Sequence, residues 1–186
     1  MKNHRAVLLL LIVPALAAAS CRSRTDRSEG TVLLSVSNFS GLPAIVSISS
    51  ELSATGRVPF SISQLTIRNT AKEPGGTTSS LQDIELRSYE VTYRRRDSGT
   101  RVPPPIVQGV FGIVPVNSST TINNLSFLLV SQVQEEPLRD LRDFGVDRET
   151  GTTVVVLDVS MRFFGRTLSG DDVVSEPAVF TLEVTK

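Results

Sequence analysis

The sequence predicts an all-β fold, a single β-sandwich with one short helix, placed after a signal peptide. Three observations carry this expectation. Apolar and polar residues alternate along much of residues 31–186, as at Val155, Leu157, Val159, Met161 and Phe163, and a period of two marks half-buried strands. The alternating runs are short and bounded by Gly, Pro, Asn, Asp and Ser, which favour turns. One stretch, "EEPLRDLRDFG" at 135–145, carries helix start and stop signals.

The chain opens with Lys2, His4 and Arg5, and residues 6–19 are apolar except for Pro14. Ala17, Ala18, Ala19 and Ser20 close the run. A basic start, a run of about 7–15 apolar residues and a small-residue exit make a secretory signal. The run is shorter than the roughly 20 residues a membrane-spanning helix needs. The chain's single cysteine, Cys21, follows at once.

Ala18-Ala19-Ser20-Cys21 resembles the lipobox of bacterial lipoproteins, with Ala18 where the commonest form has Leu. The resemblance implies a diacylglyceryl group on the Cys21 thiol, cleavage just before it, and acylation of the new N-terminus with a palmitate-type chain. Arg22 stands where Asp favours inner-membrane retention in some of those lipoproteins, so the resemblance implies the outer membrane of a bacterial envelope. Ordinary cleavage nearby, leaving a free thiol, is the alternative. The division is then 1–20 signal peptide, 21–30 lipidated cysteine and polar tether, and 31–186 β-sandwich. A tether of nine residues, 22–30, spans at most about 30 Å, which keeps the domain near the bilayer.

Within the domain, Val32, Leu34 and Val36 share one strand face, as do Ala44, Val46 and Ile48, then Leu65 and Ile67. Ile84 and Leu86 are in one phase, whereas Tyr89, Val91 and Tyr93 are in the other. That slip of one residue predicts a β-bulge near Arg87-Ser88. Asp97-Ser98-Gly99 reads as a turn. Pro103-Pro104-Pro105 reads as an edge or connector, because proline cannot donate to a ladder. In the helical stretch, Pro137 suits a first turn, Gly145 suits a stop, and Leu138, Leu141 and Phe144 are placed against the core. The residues opposite Val155–Phe163 form a mixed face: Val154, Val156, Asp158, Ser160, Arg162 and Phe164. Ala178, Phe180, Leu182 and Val184 alternate with wetter positions in a last strand. Eight or nine strands result.

The layout resembles immunoglobulin-like and fibronectin-like domains in architecture, without a Cys…Trp…Cys pattern. The segments "LRSYEVTYRR", "RVPPPIVQG" and "RFFGRTLSGDD" also resemble those of uncharacterised bacterial lipoproteins with predicted immunoglobulin-like domains. That resemblance specifies a fold and implies no activity.

Composition excludes several chemistries. Loss of Lys2 and Arg5 with the signal shifts the formal charge from zero to slightly acidic, so no field of one sign points to nucleic acid. His4, the only histidine, leaves with the same segment, and the chain has no tryptophan. Ser-His-Asp and Cys-His catalysis need an imidazole as base, and structural zinc sites need His or Cys. No metal or cofactor is expected.

Three residue groups remain as candidates. Arg94, Arg95, Arg96 and Arg101 form the densest positive cluster. They read as a contact for phosphate, headgroup or acidic glycan, or more plainly as a solvated hairpin end that discourages edge pairing. Strand alternation sends Arg95 to the face opposite Arg94 and Arg96. Asp171 and Asp172, or Asp147 and Glu149, could offer oxygens to Ca²⁺, but neither loop has EF-hand spacing, and turn formation explains such residues. Tyr89 and Tyr93 could be sugar platforms, with core packing as the plainer reading. The functional expectation is therefore a non-catalytic, membrane-anchored envelope lipoprotein with a structural, adhesive or accessory role and an envelope protein partner. The alternative is a binding module for a glycan or Ca²⁺. A hydrolase built on carboxylates alone comes last.

Overall fold

The computed structural model describes residues 30–40, 45–56 and 58–186. The signal segment, Cys21 and the tether up to Glu29 lie outside the described residues, as does Ala44.

Two sheets pack face to face. The smaller joins β1 (Val32–Ser40), β3 (Ser61–Ala71) and β6 (Ser118–Ser126) in that order, all antiparallel. The larger runs β2 (Ile45–Ser47), β9 (Ala178–Thr185), β7 (Val155–Thr167), β4 (Ile84–Arg95) and β5 (Ile106–Val114), with β8 (Asp172–Val174) added to β7. β2 lies parallel to β9, and the β9–β7, β7–β4 and β4–β5 pairs are antiparallel.

β7 is the centre of the core. Its inward residues Val155, Leu157, Val159, Met161 and Phe163 are all fully buried. Beside it, Ile84, Leu86, Tyr89 and Val91 of β4 are buried as well. The phase change is a bulge: the register of β4 with both β5 and β7 shifts between Leu86 and Ser88. The extra residue returns Tyr89 to the core face that Leu86 had occupied. Gly165 pairs with Leu86 at this point. A Cβ on Gly165 would sit 2.7 Å from Ile84 Cγ2 and 2.8 Å from the Glu85 carbonyl, so only glycine fits the crowded bulge.

Tyr89 stacks on Phe163, with ring centroids 5.7 Å apart. Its hydroxyl donates to the Ser126 carbonyl at 3.0 Å, and that of Tyr93 donates to the Phe127 carbonyl at 2.7 Å. Both tyrosines thus tie the large sheet to the end of β6.

Two expectations need correction. Of the expected face Ala44, Val46 and Ile48, the two described residues do not share a strand: β2 stops at Ser47, and helix α1 (Ile48–Ser53) begins. The Ser47 hydroxyl accepts from the Ser50 amide at 3.3 Å, an N-cap that turns the chain out of the sheet. Val46 and Ile48 are still buried. Helix α2 (Leu138–Phe144) forms and ends at Gly145 in the left-handed region. Leu138 and Leu141 are buried, but Phe144 is 56 % exposed. Each step of three residues lags a full helical turn by about 60°, which rotates Phe144 off the buried stripe. Its ring instead lies under the Arg148 guanidinium at 4.4 Å.

Candidate functional site

The four arginines point in three directions. β4 keeps its alternation to the end, so Arg95 follows Tyr89, Val91 and Tyr93 inward. Its side chain is 3 % exposed. Arg94 and Arg96 lie on the outer face of the large sheet. Arg96 donates to the Thr181 hydroxyl at 2.9 Å and stands 3.9 Å from Asp158. Arg94 pairs in register with Asp158 and borders a shallow hollow with Thr92, Ser160 and Val179. Arg101 reaches back to Glu136.

Arg95 is the hub of a buried ionic cluster. Its Nε and Nη2 donate to the two carboxylate oxygens of Asp97 at 2.6 and 2.9 Å. Nη2 also donates to Asp147 at 2.8 Å, and Nη1 to the Arg101 carbonyl at 3.2 Å. Asp97 further accepts from the amides of Gly99 and Val156, both at 3.0 Å. Asp147 accepts from the Glu149 amide at 3.1 Å and the Thr150 hydroxyl at 2.8 Å. Glu149 in turn accepts from the amides of Thr100 and Arg101. The β4–β5 and α2–β7 loops are thereby joined at one end of the sandwich.

The electrostatics follow from this wiring. Burial works against ionisation of Asp97 and Asp147, but the Arg95 hydrogen bonds and the converging amide and hydroxyl donors outweigh it, leaving both carboxyls below their ordinary value. Glu149 is also lowered, first by the Thr100 hydroxyl and then by the two amides. For Arg95, burial opposes the charge and the aspartates outweigh it, raising its affinity for the proton. Gly99 leaves room for this arrangement, since a Cβ there would lie 2.4 Å from Arg95 Cζ.

The other candidates are also occupied locally. Asp171 accepts from the Ser169 hydroxyl at 3.1 Å within the β7–β8 turn. Asp172 is exposed, with Arg166 at 3.7 Å. Among the described residues, no three His, Cys, Asp or Glu side chains gather where a metal could bind. Burial pushes the phenols of Tyr89 and Tyr93 up, as expected of struts whose hydroxyls serve carbonyls. No described helix is long and apolar enough to cross a membrane.

Sequence reasoning did not single out the outer side of β5. Val107, Phe111 and Ile113 project there and are 64, 88 and 53 % exposed. Their partners on the inner side, Ile106, Val110 and Val114, are buried. The β-branched and aromatic residues of Ile106–Val114 were a readable signal for a strand. Its apolar residues fall on both faces, so it could not say which face met water. A comparison with known proteins adds no name to this surface: no family model, curated protein or solved structure matches the chain.

Proposed function

We propose that this protein is a non-catalytic lipoprotein of the bacterial envelope, held in the outer membrane by acylated Cys21 and acting through protein contacts of its sandwich. The observation that carries the anchor is the apolar run 6–19 ending in Ala18-Ala19-Ser20-Cys21. Each buried acyl CH₂ contributes roughly 0.8 kcal/mol, and two or more chains hold stably where one does not. Asp97 and Asp147, the carboxylates brought together inside the fold, share one guanidinium instead of facing a cleft. The exposed apolar side of β5 supports a role in contact.

Intact mass and membrane fractionation of wild type and Cys21→Ser test the anchor. A mature chain starting at Cys21 with added acyl mass, membrane-bound in wild type and released in the variant, is the expected result. An unmodified thiol or a soluble wild-type protein overturns it. Calcium is expected to leave the melting temperature unchanged. A calcium-dependent rise abolished by Asp171→Ala with Asp172→Ala would replace this reading with an ion-binding one.

A further inference from the structure

We infer that the chain forms a two-fold symmetric dimer in which β5 pairs antiparallel with β5 of a second copy, centred on Val110. β5 ends the large sheet, with β4 on one side and no strand on the other among the described residues. At its C-terminal end the carbonyls of Ile113 and Val114 accept from Thr120 Oγ1 and Asn69 Nδ2, and along the rest of its length this edge, which no strand covers, can accept one. What selects a copy of itself is the order of its residues.

Residues 105–115 read Pro-Ile-Val-Gln-Gly-Val-Phe-Gly-Ile-Val-Pro. About Val110 this is a near-palindrome. An antiparallel pair with its axis at Val110 sets Val107 opposite Ile113 and Gly109 opposite Phe111, each twice, on the outer face. On the inner face Ile106 meets Val114, Gln108 meets Gly112, and Val110 meets itself. Each aliphatic residue faces an aliphatic one, and the exposed Phe111 ring covers the bare backbone of Gly109. Aromatic shielding of a cross-strand glycine is a known device for pinning register. Pro105 and Pro115 lie at equal distances from the centre and supply no N–H, so both ends of the pairing stop together.

Charge points the same way. The outer face of the neighbouring strands is ionic, with Glu90 paired to Arg162 and Arg94 to Asp158 in register. β5 carries no charge. A two-fold axis sets like opposite like wherever a residue meets itself or its near-copy, and like charges directly opposite destabilise a sheet. β5 meets that condition. A charged partner strand would find no counter-ion on it.

Size sets the strength. Phe111 offers most of the roughly 150–250 Å² an aromatic side chain can bury, with Val107 and Ile113 beside it. The contact thus belongs to the small, reversible class below about 1,200 Å². It does not depend on the lipid anchor.

The test is the mass of the full chain in detergent micelles, followed by light scattering as concentration rises. Wild type is expected to pass from monomer to dimer. V107K/I113K places lysine opposite lysine twice and is expected to weaken dimerisation roughly tenfold or more. V107K/I113E places lysine opposite glutamate twice and is expected to recover it. Both positions are exposed, so unchanged melting confirms that the variants fold. The Cys21→Ser chain is expected to dimerise like wild type, which separates this inference from the anchor. A wild type that stays monomeric at the highest attainable concentration overturns the proposal. So does a V107K/I113K chain that dimerises like wild type, or a V107K/I113E chain that does not recover.

Discussion

β7 and β5 belong to the same sheet and are both rich in apolar residues, yet they are held very differently. β7 lies between β4 and β9 and buries five consecutive inward side chains completely. Its outer face is mixed, with Val156 and Phe164 among Asp158, Ser160 and Arg162, and its charged residues lie in register with opposite charges, Asp158 with Arg94 and Arg162 with Glu90. β5 is paired on one side and leaves Val107, Phe111 and Ile113 in water. The difference teaches that apolar content does not separate buried core from exposed surface in this fold. Position in the strand order does, because a central strand has both edges and one face taken while an edge strand keeps one edge open.

The comparison can be broken most decisively at the two phenylalanines. Phe163→Ala empties a fully buried site against Tyr89 and is expected to cost about 3–5 kcal/mol in chemical denaturation. Phe111→Ser is expected to stay within about 0.5 kcal/mol. Equal losses would mean that the outer face of β5, and not only its inner one, is part of the monomer's core. Arginines give a parallel contrast of similar size. Arg95→Ala strands Asp97 and Asp147 without their counter-ion, and breaking a buried pair costs about 3–5 kcal/mol. Arg96→Ala, on the exposed face, is expected to cost less than about 1 kcal/mol.

Glycines sharpen it further. Gly165→Ala forces a Cβ against the Glu85 backbone at the bulge and is expected to cost about 1–3 kcal/mol. Gly109→Ala meets nothing nearer than 4.0 Å and is expected to be neutral or mildly stabilising in thermal melts. Tyr93→Phe removes one strut hydroxyl, worth about 1 kcal/mol.

The smallest effect is the one set by pH. Asp97 and Asp147 titrate below their ordinary value when folded. Their contribution is therefore fully present above about pH 4, the unfolded aspartate value. It drains away as the pH falls through their lowered folded values. An acid unfolding curve of Arg95→Ala, lacking the hub, is expected to lose this dependence.

Legibility followed the range of the interactions. The bulge at Arg87 could be read because the phase of Ile84, Leu86, Tyr89 and Val91 is written in neighbouring residues. The Gly145 stop of α2 could be read for the same reason. Ile48 was misassigned because its alternation with Val46 continues into the helix, and a local hydroxyl cap at Ser47 overrode it. Arg95 was grouped with Arg94 and Arg96 by proximity along the chain, although alternation had marked it for the other face. Its ionic partner Asp147 is 52 residues away, and no spacing rule connects them.

By itself, the sequence determined the all-β class, the period-two faces of β4, β7 and β9, and the turn after Arg96. These depend on side-chain phase and residue type, which are local properties. The tertiary structure decided that Arg95 is buried and neutralised, that Asp147 and Glu149 serve a loop junction, and that β5 lies at the edge of its sheet. Those outcomes depend on which strands become neighbours. That order is settled by the packing of two sheets around one core and is carried by no single segment.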